Sequence, residues 1–129
     1  MFRALTLASF LAAPALADEV WTSDMGDIIY ETDTQGAAIL SFTNVDGYRA
    51  IVVVPGLAGN YDNRSVHDGF WMGEGAGDCL SSMTLGAQSG HQWGQALISF
   101  DRPSFPTSFT LTLGDCFGPL AHSIRAEAR

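Results

Sequence analysis

The sequence predicts an all-β protein, a small antiparallel barrel of about eight strands joined mostly as a meander, with a β-sandwich as the alternative. Three observations carry this. Short alternating or continuous apolar runs recur at roughly 8–15-residue intervals beyond residue 18, a spacing typical of all-β folds. Clusters of Gly, Asp, Asn and Pro, the residues of tight turns, separate them. Beyond residue 18 no stretch repeats its apolar residues at helical spacing.

Residues 1–17 (MFRALTLASFLAAPALA) read as a signal peptide rather than as part of the fold. Arg3 gives a positive start, the apolar run from Ala4 is too short to span a bilayer, and Ala15-Leu16-Ala17 is an A-x-A cleavage site. There is no twin arginine, so a Sec-type route is expected, with cleavage after Ala17. No cysteine follows that site, so no lipid anchor is expected. The expected location is the periplasm or beyond, and residues 18–129 are expected to form a single β domain.

The expected strands follow in order. Residues 27–32 (DIIYET) lead into turn chemistry at Asp33-Thr34-Gln35-Gly36. Residues 37–43 (AAILSFT) place Ala38, Leu40 and Phe42 on one face. After the turn Asn44-Val45-Asp46-Gly47, residues 48–54 (YRAIVVV) are the most β-branched stretch and read as a central strand. Residues 65–72 (SVHDGFWM) set His67, Gly69 and Trp71 against Val66, Asp68, Phe70 and Met72. A turn at 74–78 precedes an expected strand at 79–85 (CLSSMTL), and Gln88-Ser89-Gly90-His91 is expected to turn the chain again. Residues 92–100 (QWGQALISF) show Ala96, Ile98 and Phe100 on one side. Residues 108–113 (SFTLTL) alternate cleanly. The tail, 120–128, reads as a last edge strand or a frayed end. Only the loops at 55–64 and 101–107 are long enough for a Greek-key crossing.

Charge narrows the function. The chain has 14 acidic residues against six arginines and no lysine, a formal charge of −8 and a pI near 4.4. Removal of 17 residues would leave 112 with all 14 acids and five arginines, so a charge of −9. That excludes binding to nucleic acid through phosphate contacts, which needs a basic face. It also opposes an anionic membrane surface and favours a basic protein partner.

Cys79 and Cys116 are the only cysteines. In an exported chain without C-x-x-C, one disulfide between them is expected. No G-x-S-x-G, no H-E-x-x-H and no metal-ligand spacing occurs, so neither a catalytic set nor a metal or other cofactor is expected. His67 and Asp68 are adjacent in a strand, so they point to opposite faces and cannot pair as base and orienter. The loop Asn60-Tyr61-Asp62-Asn63-Arg64-Ser65 offers oxygens, but Arg64 stands where a calcium ligand would be needed.

The aromatic residues suggest binding instead. Trp71 and Trp93 are flanked by glycines, which let another chain or ring approach closely. Were both to face a barrel interior, with His67 beside Trp71, they could line an apolar ligand pocket, in the architecture of lipocalins and avidins. Otherwise they are core.

Ser89-Gly90-His91-Gln92-Trp93 is similar to the S-G-x-x-Y inhibitory motif of the periplasmic C-type lysozyme inhibitor family, with Trp in place of Tyr. The resemblance covers five residues. It implies a small disulfide-bearing β-barrel whose loop enters a lysozyme cleft, with Ser89 inserting. The leading expectation is therefore an exported, non-catalytic β domain that binds another protein, inhibitor-like in style. Its binding candidates are Ser89, Gly90, His91, Trp93, Trp71 and His67. The alternatives are a small apolar-ligand carrier and, behind it, a small hydrolase using a histidine with a carboxylate.

Overall fold

The computed structural model describes residues 19–44, 46–57, 65–85, 88–103 and 107–129. The expected signal peptide at 1–17, most of the 60–65 loop and part of the 101–107 loop lie outside the described residues. Among the described residues ten strands follow in chain order: β1 Val20–Thr22, β2 Ile28–Thr34, β3 Ala37–Thr43, β4 Arg49–Pro55, β5 Val66–Gly73, β6 Met83–Leu85, β7 Gln88–Gly90, β8 Trp93–Phe100, β9 Phe109–Gly114 and β10 Leu120–Ala128. Eight of them close an antiparallel barrel in the order β1-β10-β9-β8-β5-β4-β3-β2. Every barrel strand neighbours the next barrel strand in sequence, so the fold is a meander with no crossing. Between β5 and β8 the chain leaves the barrel to form the separate β6–β7 hairpin.

Period-two alternation explains which side chains fill the barrel. Ala38, Leu40 and Phe42 of β3 are 0% exposed, as are Phe109 and Leu111 of β9, while Val52, Val54, Ala96, Ile98, Leu113, Ile124 and Ala126 complete the same face. Large aromatics lock the layers together. Trp21 meets Phe109 edge-on at 4.8 Å, and Phe109 meets Phe100 at 5.4 Å. The Trp21 indole is satisfied by donating to the Thr107 carbonyl at 2.8 Å. Closure itself protects the sheet, because a barrel leaves no edge to pair with another chain.

Local chemistry sets the register. The β2–β3 hairpin pairs Thr34 with Ala37 and turns on Gln35 and Gly36, with φ of 51° and 83°. Two consecutive positive values are what a tight hairpin turn requires, and glycine supplies the second without strain. At the other end of β5, Trp71 faces inward and its Nε1 donates to the Gly114 carbonyl at 2.7 Å. Gly94 makes that contact sterically feasible: a Cβ there would lie 1.9 Å from the Gly114 oxygen and 2.6 Å from Trp71 Nε1.

Four sequence expectations are corrected. Residues 79–85 do not supply a barrel strand. Only Met83–Leu85 is extended, in the outside hairpin, and Leu80 is fully exposed. The physical reason is that Leu80-Ser81-Ser82 presents no repeating apolar face to bury. The barrel strand taken to lie there is instead β1, three residues too short for alternation to register, yet anchored by a Trp21 that is 0% exposed. Gln88-Ser89-Gly90 is strand rather than turn, because Leu85 pairs with Gln88 and leaves residues 86–87 between them. The tail is neither an edge nor frayed. β10 pairs with β9 on one side and β1 on the other, and so closes the barrel.

The hairpin is not isolated. Met72 of β5 and Trp93 of β8 point outward, and with Cys79 they form a small second core covered by Met83, Leu85 and Cys116. The expected Cys79–Cys116 disulfide is present, with Cα atoms 5.6 Å apart. It ties the excursion to the turn after β9. A disulfide of this kind belongs to an oxidising, extracytoplasmic environment. Among the described residues no helix is long and apolar enough to cross a membrane.

Candidate functional site

The site lies at the barrel end where β3, β5 and β9 finish and β4 and β8 begin. Its foundation is Asn44, just after β3. The Asn44 Oδ1 accepts the backbone N–H of Asp46 and of Tyr48, both at 3.1 Å. The Asn44 backbone also bonds the Tyr48 carbonyl at 2.9 Å, closing the connection to β4. An asparagine bonding its own downstream backbone is a common way to hold such a turn. Because Oδ1 must accept both bonds, the orientation of the amide is set and Nδ2 is left as a donor. Asn44 is 2% exposed, and its Nδ2 has no partner among the described residues.

Gln92, just before β8, bridges this turn to the next. Its Nε2 donates to Asp46 Oδ2 at 3.1 Å, and its Oε1 accepts the Gly75 N–H at 2.8 Å. The backbone on either side of Gln92 is the common anchor of the disulfide's two arms. The His91 carbonyl accepts the Cys79 N–H at 3.1 Å, and the Trp93 carbonyl accepts the Cys116 N–H at 2.8 Å. The His91 ring donates from Nδ1 to the Cys79 carbonyl at 2.8 Å, since a carbonyl can only accept. Trp93 Nε1 donates to the Ser81 carbonyl at 2.9 Å.

These contacts frame an open cleft of about 350 Å³. Trp71, Trp93 and Leu113 form its apolar wall, and Asn44 and Gln92 its polar floor. Asp46, Asp78 and Asp115 stand on its rim, all exposed, with the exposed His91 and His122 beside them. Among the described residues lining it there is no arginine. Three carboxylates around one opening focus a negative potential there.

The cleft brings together three of the sequence candidates, Trp71, His91 and Trp93. Trp71 and Trp93 are 6% and 3% exposed and sit on opposite sides of the barrel wall, one inward and one outward, so they do not share an interior face. Ser89 and Gly90 lie on β7 and are not among the described residues that line the cleft. The Ser89 hydroxyl is exposed and hydrogen-bonded to Thr84 Oγ1 at 2.7 Å. His67 shares the inward side of β5 with Trp71 but sits four residues, about 13 Å, along the strand. Its Nε2 is buried without a partner among the described residues. No group of three or more His, Cys, Asp or Glu side chains among the described residues could hold a metal ion.

Sequence reasoning missed Asn44, Asp46, Gln92, Asp78 and Asp115. Asn44 and Asp46 were legible only as turn residues. The signal available for Asp78 and Asp115 was their position, each immediately before a cysteine of the expected bridge. No family model, curated protein or solved structure matches this chain. The fold and site define a closed eight-stranded meander barrel with a packed interior and an acid-rimmed cleft at one end.

Proposed function

We propose that this chain is an exported, non-catalytic binding domain that docks a basic protein at the acid-rimmed end of its barrel. The observation that carries the reading is the ring of Asp46, Asp78 and Asp115 around a cleft with no arginine among its described lining residues. The whole-chain charge of −8 adds long-range attraction for a cationic partner. The packed interior supports docking from outside over carriage of an apolar ligand within. Export follows from the signal peptide at residues 1–17, with cleavage after Ala17, and the disulfide suits the compartment it leads to.

The resemblance of Ser89-Gly90-His91-Gln92-Trp93 to the lysozyme inhibitor motif selects the first probe, a C-type lysozyme. Cytochrome c, also basic, serves as the second. The test compares two variants of equal net charge. One replaces the rim acids (Asp46→Asn, Asp78→Asn, Asp115→Asn), and the other replaces acids elsewhere (Asp24→Asn, Glu31→Gln, Asp68→Asn). Rim replacement is expected to weaken binding about tenfold and remote replacement less than about threefold, because close charge pairs couple more strongly than distant ones. Equal losses in the two variants, or no binding of either basic protein at low salt, would overturn the proposal.

A further inference from the structure

The two cysteines carry matching neighbours. Gly77-Asp78-Cys79-Leu80 and Gly114-Asp115-Cys116-Phe117 share the order glycine, aspartate, cysteine, large apolar residue. The disulfide sets these segments side by side, with cysteine Cα atoms 5.6 Å apart. One step along the chain in each direction sorts the flanking residues. Both aspartates line the cleft, whereas Leu80 and Phe117 lie outside it and are 100% and 72% exposed. With about 3.8 Å per residue step, the Leu80 and Phe117 Cα atoms can be no more than ~13 Å apart. Leu120, also exposed, follows Phe117 by three residues.

Singly exposed apolar residues are ordinary, but two large ones on segments joined by one disulfide, beside a charged cleft, make a shared apolar surface of the kind that marks interaction sites, where aromatic residues such as phenylalanine are enriched. Phe117 already has an aromatic contact within the chain before any partner arrives. Its ring lies edge-on to Trp93 at 4.9 Å, and Trp93 is itself pinned through Nε1 to Ser81. A side chain with such a contact has less freedom left to lose on binding than one without.

We propose that Leu80 and Phe117 are the apolar anchor of the docking surface, and that the partner presents an exposed apolar side chain next to an arginine or lysine. This rests on the acidic docking proposed above and specifies its occupant. Charge complementarity selects that occupant: the same two segments that expose Leu80 and Phe117 place Asp78 and Asp115 at the cleft. A second copy of this chain would bring the same carboxylates together and be repelled.

The test uses two synthetic peptides of equal positive charge, one containing arginine and leucine, the other with serine in place of each leucine. The wild-type protein is expected to bind the leucine peptide about tenfold more tightly, the effect of burying one large apolar side chain. In Leu80→Ser with Phe117→Ser that preference should fall below about threefold, while the salt dependence of binding stays as in wild type. Leu80→Ser alone, at a fully exposed position, separates loss of contact from loss of folding. Equal affinity of the wild type for both peptides would overturn the anchor and leave the acidic docking intact. Binding of neither peptide would overturn both. Sedimentation of the free protein as a dimer that Leu80→Ser abolishes would assign the patch to self-association and overturn the proposal.

Discussion

His91 and Cys79 are hydrogen-bonded to each other twice. The Cys79 N–H donates to the His91 carbonyl at 3.1 Å, and His91 Nδ1–H donates to the Cys79 carbonyl at 2.8 Å. The pair fastens the arm that carries Asp78 and Leu80 to the start of β8. Neutral His91 should therefore carry its proton on Nδ1, which nitrogen-resolved NMR reads directly. His91→Ala should lower stability by about 1 kcal/mol in urea unfolding, one part-buried hydrogen bond. A neutral imidazole protonated on Nε2 would contradict this assignment.

Gly94 should be among the least replaceable positions. An alanine Cβ would sit 1.9 Å from the Gly114 carbonyl oxygen and would crowd Trp71 Nε1. Gly94→Ala should cost about 3 kcal/mol, as overpacking against backbone does. Gly90→Ala is the control, because a Cβ there meets nothing within 4 Å. It should stay within about 0.5 kcal/mol of wild type. Similar unfolding midpoints for the two variants would contradict the close-approach argument.

The disulfide should stabilise the protein without being needed for its barrel. It joins residues 37 apart in sequence, outside the closed ring of strands. Constraining an unfolded loop of that length is worth up to ~4 kcal/mol. Thiol labelling of the native protein should find no free cysteine. Cys79→Ser with Cys116→Ser should lower the unfolding free energy yet keep the β-sheet circular dichroism. Loss of that spectrum would mean that the bridge is required for closure.

On the outer surface, Arg125 of β10 forms a two-pronged ion pair with Asp101 and also bonds Glu127 at 3.0 Å. The hydrogen bond from Arg125 holds the Asp101 carboxyl below the ordinary value of 3.8. A carboxyl depressed in the folded state stabilises above its unfolded pKa, and the contribution fades as pH falls through the folded value. Both groups are solvent-exposed, so the effect on stability is small. Carbon NMR titration should show the Asp101 pKa rising in Arg125→Gln. An unchanged titration would contradict the pairing.

Much of the fold was legible in the sequence because period-two alternation is local. Phe109, Leu111 and Leu113 announce their face within six residues, as do Ala96, Ile98 and Phe100. What was not legible depended on closure. Val20-Trp21-Thr22 is too short to alternate, and β10 becomes an inner-ring strand only because β1 meets its far side. The cleft was hidden for the same reason. Asn44, Asp78, Gln92 and Asp115 are distant in sequence, and the barrel end and the disulfide bring them together. The motif-like run from Ser89 to Trp93 was noticed, but its carbonyls and the Gln92 side chain position the site from behind.

The central claim is docking steered by the rim carboxylates. The most direct measurement is the association rate of a basic protein, C-type lysozyme, as a function of ionic strength, for wild type and for the Asp46→Asn, Asp78→Asn, Asp115→Asn variant. The wild-type rate should fall steeply as salt shortens the screening length from about 30 Å to about 8 Å. The variant should start slower and respond weakly, with a dissociation rate changed far less. Superimposable salt dependences for the two proteins would contradict the account.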